Sequence, residues 1–448
     1  MKLMKNKTVF NTLSVYVLYA LVFTLPFERI PSLDLTLAGS SLTVRANSVL
    51  ALILCLVSLP LLWQNRRELL TMPYVGLIVF LFVYLFSVAL SSELSRAVMV
   101  YGFTFLTIAT AVSIANQLTS ARLETLKKVL YWSTWVVLAF GFYQYLGDIF
   151  GLSTSLTGLR TDYTKVVFGF PRIQSVGLEP LYYANFLMIP FFVFAADFLK
   201  KTKERPILLI AIIMQISLTV SRGAFAGMLI GLAVLVIFAS RNKTKFFQIF
   251  SLGSFVVLGV LLALLMTNIE IKSVGTTGKE SGEKKTEAIV SQATNFDTQD
   301  DRDRNRDLAW SAFTQRPVFG LGPGGFDNYA RANAPVYEGA PGRLIVNNEP
   351  LELLAEGGIV AFVTLLITLL WIVWKVATLV WQGKLSDKQY AWGLGLLAYL
   401  CALAVQYQTF STLYIMHVWV AIGLLMGILI NAGKVHKKAT SATQKNTS

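Results

Sequence analysis

Between residues 301 and 357 every basic side chain is an arginine: Arg302, Arg304, Arg306, Arg316, Arg331 and Arg343. A guanidinium offers a rigid, bidentate fork that matches phosphate, whereas lysine is a hydrated point charge. The spacing therefore suggests binding of a phosphate-bearing group. Arg160, Arg172 and Arg222 are further candidates; Arg222 sits in TVSRGAFAG, where one apolar run gives way to the next with almost no connection. The plainer alternative is that these arginines balance Asp301, Asp303, Asp307, Asp327 and Glu338 on a solvated loop. Asp301 and Asp303 form a DxD pair, but Arg302 and Arg304 interleave with them, so a salt-bridged loop is expected rather than a cation site. Two histidines, His417 and His436, cannot build a histidine metal cluster, and His417 reads as a satisfied helix residue. Cys55 and Cys401 lie in apolar runs and give no disulfide framework. No metal and no cofactor are expected.

The elements that must hold these residues are apolar. Of 448 residues, 55% are hydrophobic and 14% charged; mean hydropathy is +0.59. An ordinary soluble domain carries about 25% charged residues, so neither a soluble fold nor disorder fits. Much of the net charge of +14 can be topogenic, so no nucleic-acid partner is expected. The fold class is an all-α polytopic integral membrane protein. Apolar runs near 10–27, 42–62, 73–90, 97–115, 129–147, 181–199, 206–220, 222–239, 248–267, 358–380, 390–408 and 412–431 give about 12 transmembrane helices. With both termini cytoplasmic, clusters such as Arg66–Arg67, Lys127–Lys128 and Lys437–Lys438 fall inside, while the short outer connections at 28–41, 91–96 and 409–411 hold only Arg29 and Arg96.

This places spans one to nine in 1–267, one large extracytoplasmic loop in 268–357 between spans 9 and 10, the last three spans in 358–431, and a basic tail in 432–448. Residues 271–300 are rich in Lys, Glu, Thr, Ser and Gly and are expected to be mobile and non-catalytic. DRDRNRDLAWSAFTQRPVF then reads as a short amphipathic helix, with Arg302, Arg306 and Trp310 at four-residue spacing. Pro317 should end it, and GLGPGGF (320–326) should turn the chain. In VNNEPLELLAEGG, Asn347 or Asn348 can cap a helix, Pro350 fits its first turn, and Gly357–Gly358 should break it before span ten. Arg222, at the membrane rim, is costly to hold near lipid without a partner.

Taken together, these segments resemble the O-antigen ligase/polymerase family of bacterial envelope enzymes. The likeness runs from about residue 170 to the end. It is carried by SRGAFAG (221–227), by Arg306 and Trp310 followed by RPVFGLGPGGF (316–326), by NNEPLELLAEGG (347–358), and by one large loop before the last three spans. The resemblance implies a GT-C-like, metal-independent glycosyltransferase in the bacterial cytoplasmic (inner) membrane. It would move a glycan from an undecaprenyl-diphosphate carrier, on the outer face, to a lipid, glycan or protein acceptor. By resemblance Arg222 and Arg306 match arginines proposed to bind the diphosphate. Ligases of the family carry histidine, their proposed catalytic residue, where this chain has Asn347. Asparagine cannot act as a general base. The chain is then a polymerase-type member, or a carboxylate takes the role, or activity is altered.

For such a transfer the leaving diphosphate must be stabilised as it gains charge, and the acceptor hydroxyl must lose a proton. The candidates to hold the diphosphate are Arg222, Arg306, Arg172 and Arg302. The catalytic candidates are Glu349, Asn347 and Glu179, with Glu349 preferred; Glu352 and Glu356 read equally well as ordinary helix residues. Phe168, Phe170, Tyr182, Tyr183 and Phe326 would suit a polyprenyl groove, or simply the core. Two other readings stand beside this one. A lipid-linked glycan flippase or secondary transporter should place its charges near mid-membrane rather than at the rim. A non-catalytic scaffold would leave the carboxylates without a task.

Overall fold

In lipid, a helix satisfies each main-chain N–H and C=O within its own segment, and so long apolar runs become helices. The computed structural model describes residues 2–37, 40–200, 205–241, 246–268, 297–337 and 342–445. Helices lie on all twelve apolar runs. In order they are α1 (Lys2–Thr24), α2 (Ala46–Gln64), α3 (Tyr74–Ala89), α4 (Leu94–Gln117) and α5 (Ser120–Ile149); then, after the single turns α6 (Thr154–Thr157) and α7 (Lys165–Phe168), α8 (Pro180–Lys200), α9 (Pro206–Leu218), α10 (Arg222–Arg241) and α11 (Phe246–Thr267). The last three are α14 (Glu349–Trp381), α15 (Asp387–Gln406) and α16 (Met416–Lys445). Among the described residues eight helices are long and apolar enough to cross a membrane, and α3, α9 and Thr12–Thr24 of α1 are shorter apolar helices. The chain is a multi-pass membrane protein.

Two boundaries differ from the sequence reading. The run at 42–62 does not start as a helix. Residues 40–45 form β2 (Ser40–Arg45), paired antiparallel with β1 (Ser32–Leu37) from Ser32↔Arg45 to Leu37↔Ser40. Alternation in SLDLTL and SSLTVR favours that hairpin, and α2 begins only at Ala46, placing Arg45 at its cap. The expected mobile stretch 271–300 lies outside the described residues as far as 296. Its last residues, 297–300, are the first turn of α12 (Asp297–Gln315).

The bundle closes through small residues. Gly223, Gly227 and Gly231 recur every four positions along α10. A Cβ at Gly227 would stand 2.7 Å from the Ala402 carbonyl oxygen of α15, and one at Gly231 would collide with the Phe192 ring of α8. Such close backbone approach is how helices associate where lipid removes the hydrophobic drive.

Residues 297–337 and 342–358 form a second, smaller body. Ala309 and Ala312 of α12, Phe326 and Ala330 of α13 (Phe326–Asn333), Leu321, Val346 and Ala355 make its buried core. The connection between α12 and α13 docks on α14 main chain to main chain: Leu321 N–H donates to Ala355 O at 2.9 Å, Gly322 N–H to Glu356 O at 2.9 Å, and Ile359 N–H to Pro317 O at 2.8 Å. The helical break expected at Gly357–Gly358 falls on Gly358, with φ 71° and ψ −177°. That conformation is essentially restricted to glycine, and a Cβ there would collide with the Val318 carbonyl. Beyond the break, 359–381 is about 34 Å of helix at 1.5 Å per residue, enough to cross a bilayer.

Candidate active site at one end of the bundle

Arg222 opens α10 immediately after a tight junction with α9. Thr219 caps α9, and Val220 adopts φ 49°, a conformation costly for a β-branched residue. Arg172 holds this junction, donating from Nε to Thr219 O at 3.1 Å and from Nη2 to Val220 O at 3.5 Å. A cation on the last carbonyls of a helix also opposes the helix dipole. The Tyr163 ring lies 5.5 Å from the guanidinium carbons of both Arg160 and Arg172. Burial lowers the Arg172 pKa, Tyr163 and Glu179 counter this, and the nearby Arg222 charge adds to the lowering.

Arg302 and Arg306 lie one turn apart on α12. Their helix is fixed by an adjoining face, where Asn305 is buried, donates to Ile345 O at 3.1 Å and accepts from the Tyr337 hydroxyl at 2.7 Å. Burial lowers the Arg302 pKa, and the positive charges of Arg222 and Arg306 add to that lowering. The four arginines singled out in the sequence are linked by contacts: Arg172 bonds the Val220 carbonyl two residues before Arg222, and Arg306, one turn from Arg302, bonds Gln408 O next to the Thr409 that packs on Gly223. Guanidiniums gathered this way can pair with an oxyanion of high charge.

The other arginines of the segment have structural partners. Arg304 pairs with Asp301 at 3.0 Å, Arg331 and Arg343 with the buried Asp327 at 2.9 and 3.1 Å, and Arg316 donates to Leu90 O at 3.4 Å. For Arg304, Arg331 and Arg343 the charge-balancing reading describes what is seen, whereas Arg316 is held by a main-chain carbonyl. Arg306 is mixed: it pairs with Asp303 at 3.0 Å, while its Nε is buried without a hydrogen-bond partner.

The connection between α15 and α16 ties the site together. Gln408 O accepts from Arg306 Nη2 at 3.1 Å, and Tyr407 O accepts from Glu349 N–H at 2.9 Å. Ser411 Oγ accepts from Asn348 N–H at 2.9 Å, and Thr412 Oγ1 bonds the Tyr182 hydroxyl at 3.0 Å. A Cβ at Gly223 would collide with the Thr409 hydroxyl. Residues 407–412 therefore touch α8, α10, α12 and α14. The sequence reading treated 409–411 only as a short connection; its available signal was the polar density of QYQTFST between two apolar helices.

Glu349, Glu352 and Glu356 face a cavity of about 60 Å³, with Tyr84, Arg96 and Tyr414 also in its wall. The three carboxylates are not equivalent. Glu356 accepts from Gly324 N–H at 2.8 Å and Phe326 N–H at 3.2 Å, so it pins the glycine turn. Glu352 accepts from Val346 N–H at 2.9 Å. Glu349 has a buried Oε2 with no hydrogen-bond partner. None of the four grouped arginines lines this cavity. Of the carboxylate candidates it is Glu179 that shares their surroundings, 3.5 Å from Arg160 and close enough to influence Arg172. The structure thus brings Glu349 to the 407–412 connection, whose Ser411 and Thr412 also line the carboxylate cavity.

The cap of α14 is Asn348, whose side chain accepts from Leu351 N–H at 3.0 Å, with Pro350 in the first turn. Asn347 adopts φ 57°, which asparagine tolerates better than most residues. Ser175, Val220 and Asn347 are the non-glycine residues with positive φ among those described. Two of the three flank groups already singled out, consistent with backbone strain gathering at functional sites. His417 is buried within α16, with Nε2 2.7 Å from Asn185 Oδ1 and Nδ1 3.2 Å from Glu28 Oε1. Among the described residues no group of three or more His, Cys, Asp and Glu side chains is arranged to hold a metal ion.

Residues 207–366 match a family model described as O-antigen ligase. That stretch contains Arg222, Arg302, Arg306, Asn347 and Glu349. No curated protein matches the chain.

Proposed function

We propose, on the premise that residues 207–366 belong to the O-antigen ligase family, that this protein is a glycosyltransferase of the bacterial cytoplasmic membrane. It moves a glycan from an undecaprenyl-diphosphate carrier to an acceptor hydroxyl on the outer face. In this reading all twelve helices cross the membrane, the termini are cytoplasmic, and 268–357 is extracytoplasmic. The observation that carries the proposal is the approach of Arg172, Arg222, Arg302 and Arg306 through the α9–α10 junction and the 407–412 connection, where Arg172 bonds Val220 O, Arg306 bonds Gln408 O and Gly223 packs on Thr409. A flippase or transporter reading has no comparable support, because this group lies at a helix start and on a loop helix rather than midway along a span.

The chemistry follows from charge. As the bond between the sugar C1 and the diphosphate oxygen breaks, its electron pair passes to the diphosphate. Arg222, Arg302 and Arg306 stabilise that growing charge more than the ground state, which is what lowers a barrier. Arg172 contacts the junction carbonyls and positions Arg222. The acceptor oxygen forms the new bond to C1 and gives its proton to a carboxylate. Glu349 is assigned that role because its Oε2 accepts no hydrogen bond, whereas Glu352 Oε2 and both oxygens of Glu356 accept from main-chain N–H groups. Glu179 is the second candidate. Asn347 cannot take the proton; its amide orients the reacting groups.

The test is purified protein with an undecaprenyl-diphosphate oligosaccharide and separate lipid, glycan and peptide acceptors, read by product mass. A product heavier by the glycan supports transfer, and the acceptor that gains it separates ligase from polymerase. An intact donor with every acceptor would contradict the proposal.

A further inference from the structure

Beside the carboxylate cavity lies a second one, of about 190 Å³. Its chemistry-bearing wall is Glu28, Thr43, Arg45, Asn47, Arg96 and Tyr414. Arg96 and Tyr414 line both cavities, so the two adjoin across these side chains. None of the four grouped arginines takes part in either.

The polar atoms here are unusually short of partners. Nε of Arg45 and Nε of Arg96 are both buried without a hydrogen-bond partner. Glu28 is 5% exposed; its Oε1 lies 3.2 Å from His417 Nδ1, while its Oε2 has none. Buried polar groups are nearly always satisfied, and here three unpartnered atoms surround one cavity. A simple anion would answer the two guanidiniums but be repelled by Glu28. A neutral sugar would answer Glu28 with a hydroxyl but offer no oxyanion to the two guanidiniums, of which Arg96 has Glu352 and Glu356 on its other side. A hydroxylated ring carrying one oxyanion satisfies all three at once: the oxyanion takes the guanidinium donors and a ring hydroxyl donates to Glu28.

We infer that the Arg45–Arg96 cavity is a second ligand site, distinct from the four-arginine group, and that it binds a sugar carrying one negative charge, an acid sugar or a sugar phosphate. Given the transferase reading above, on which this assignment of role rests, the occupant is the acceptor glycan. Its hydroxyl then adjoins the cavity that holds Glu349.

The experiment is saturation-transfer NMR on the purified full chain with four probes: methyl glucuronide, glucose 1-phosphate, methyl glucoside and inorganic phosphate. At least one of the two charged sugars should bind, and the tighter of them identifies the source of the charge. Methyl glucoside and inorganic phosphate should bind at least 10-fold more weakly. Arg45→Gln and Arg96→Gln should each weaken the charged sugar at least 10-fold, Arg96→Lys less so, and Arg222→Gln not at all. Geranyl diphosphate binding, measured in the same samples, reports on the four-arginine group. It should survive Arg96→Gln, which also shows that the variant is folded, and be lost in Arg222→Gln. Equal binding of methyl glucoside, no effect of Arg96→Gln, or loss of the charged sugar in Arg222→Gln would each overturn the second site. Geranyl diphosphate binding that persists in Arg222→Gln would instead count against the donor site, leaving the second site standing.

Discussion

Arg306 donates to the main-chain oxygen of Gln408 at 3.1 Å. One residue earlier, Tyr407 O receives the Glu349 N–H at 2.9 Å. A single connection between two helices thus sets the position of both a phosphate-binding candidate and a proton-accepting candidate. Arg306→Ala removes the cation and its anchor. Loss of one donor to developing charge costs about 10²–10³ in rate in other enzymes. Transfer by Arg306→Ala should fall by about that factor with membrane insertion unchanged, and Arg306→Lys should recover only part because it lacks the fork. Product mass from equal amounts of inserted protein checks this.

The two proton-acceptor candidates separate by amide substitution. General-base removal costs about 10²–10⁴-fold. Glu349→Gln should lower kcat within that range and leave the affinity for a lipid diphosphate unchanged. Glu179→Gln should alter mainly the donor KM, since Glu179 sits with Arg160 and Arg172. The reverse pattern would transfer the base role to Glu179.

Glu356 and Gly358 are assigned to architecture. Glu356→Ala strands the N–H groups of Gly324 and Phe326, each an unpaired donor costing about 1–3 kcal/mol where buried. Gly358→Ala imposes a conformation costing about 1–3 kcal/mol, besides the collision with Val318. Both should lower the thermal unfolding temperature and increase protease access to residues 316–326. Activity should be lost in proportion to folded protein.

Asn347 can be tested without disturbing its backbone. Glycine accepts φ 57° without strain, so Asn347→Gly removes the amide alone. A fall in kcat of about 10-fold, the worth of roughly 1.4 kcal/mol of orientation, is expected with unfolding temperature unchanged. Unaltered kcat would remove Asn347 from the site.

Much of this was legible in the sequence because local physics fixed it. Apolar length marked the helices, Pro317 and the glycines of 320–326 marked the turn, and Gly357–Gly358 marked the break. The grouping of Arg172, Arg222, Arg302 and Arg306 could be suspected from residue type, although these residues are up to 134 positions apart in sequence. What periodicity could not give was partnership. Nothing local distinguishes Glu349 from Glu352 and Glu356, whose roles differ by the main-chain donors that reach them. Nor could spacing reveal that 407–412 joins four helices, that Arg45 caps α2 instead of entering a span, or that Arg96 stands between two cavities. Those are tertiary contacts between segments far apart in sequence.

The most direct test is equilibrium binding of undecaprenyl diphosphate to the purified protein, compared with an Arg222→Gln/Arg306→Gln double variant of equal thermal stability. The arginine group as the holder of the leaving diphosphate requires at least a 100-fold loss of affinity in the double variant. Undiminished binding would contradict it.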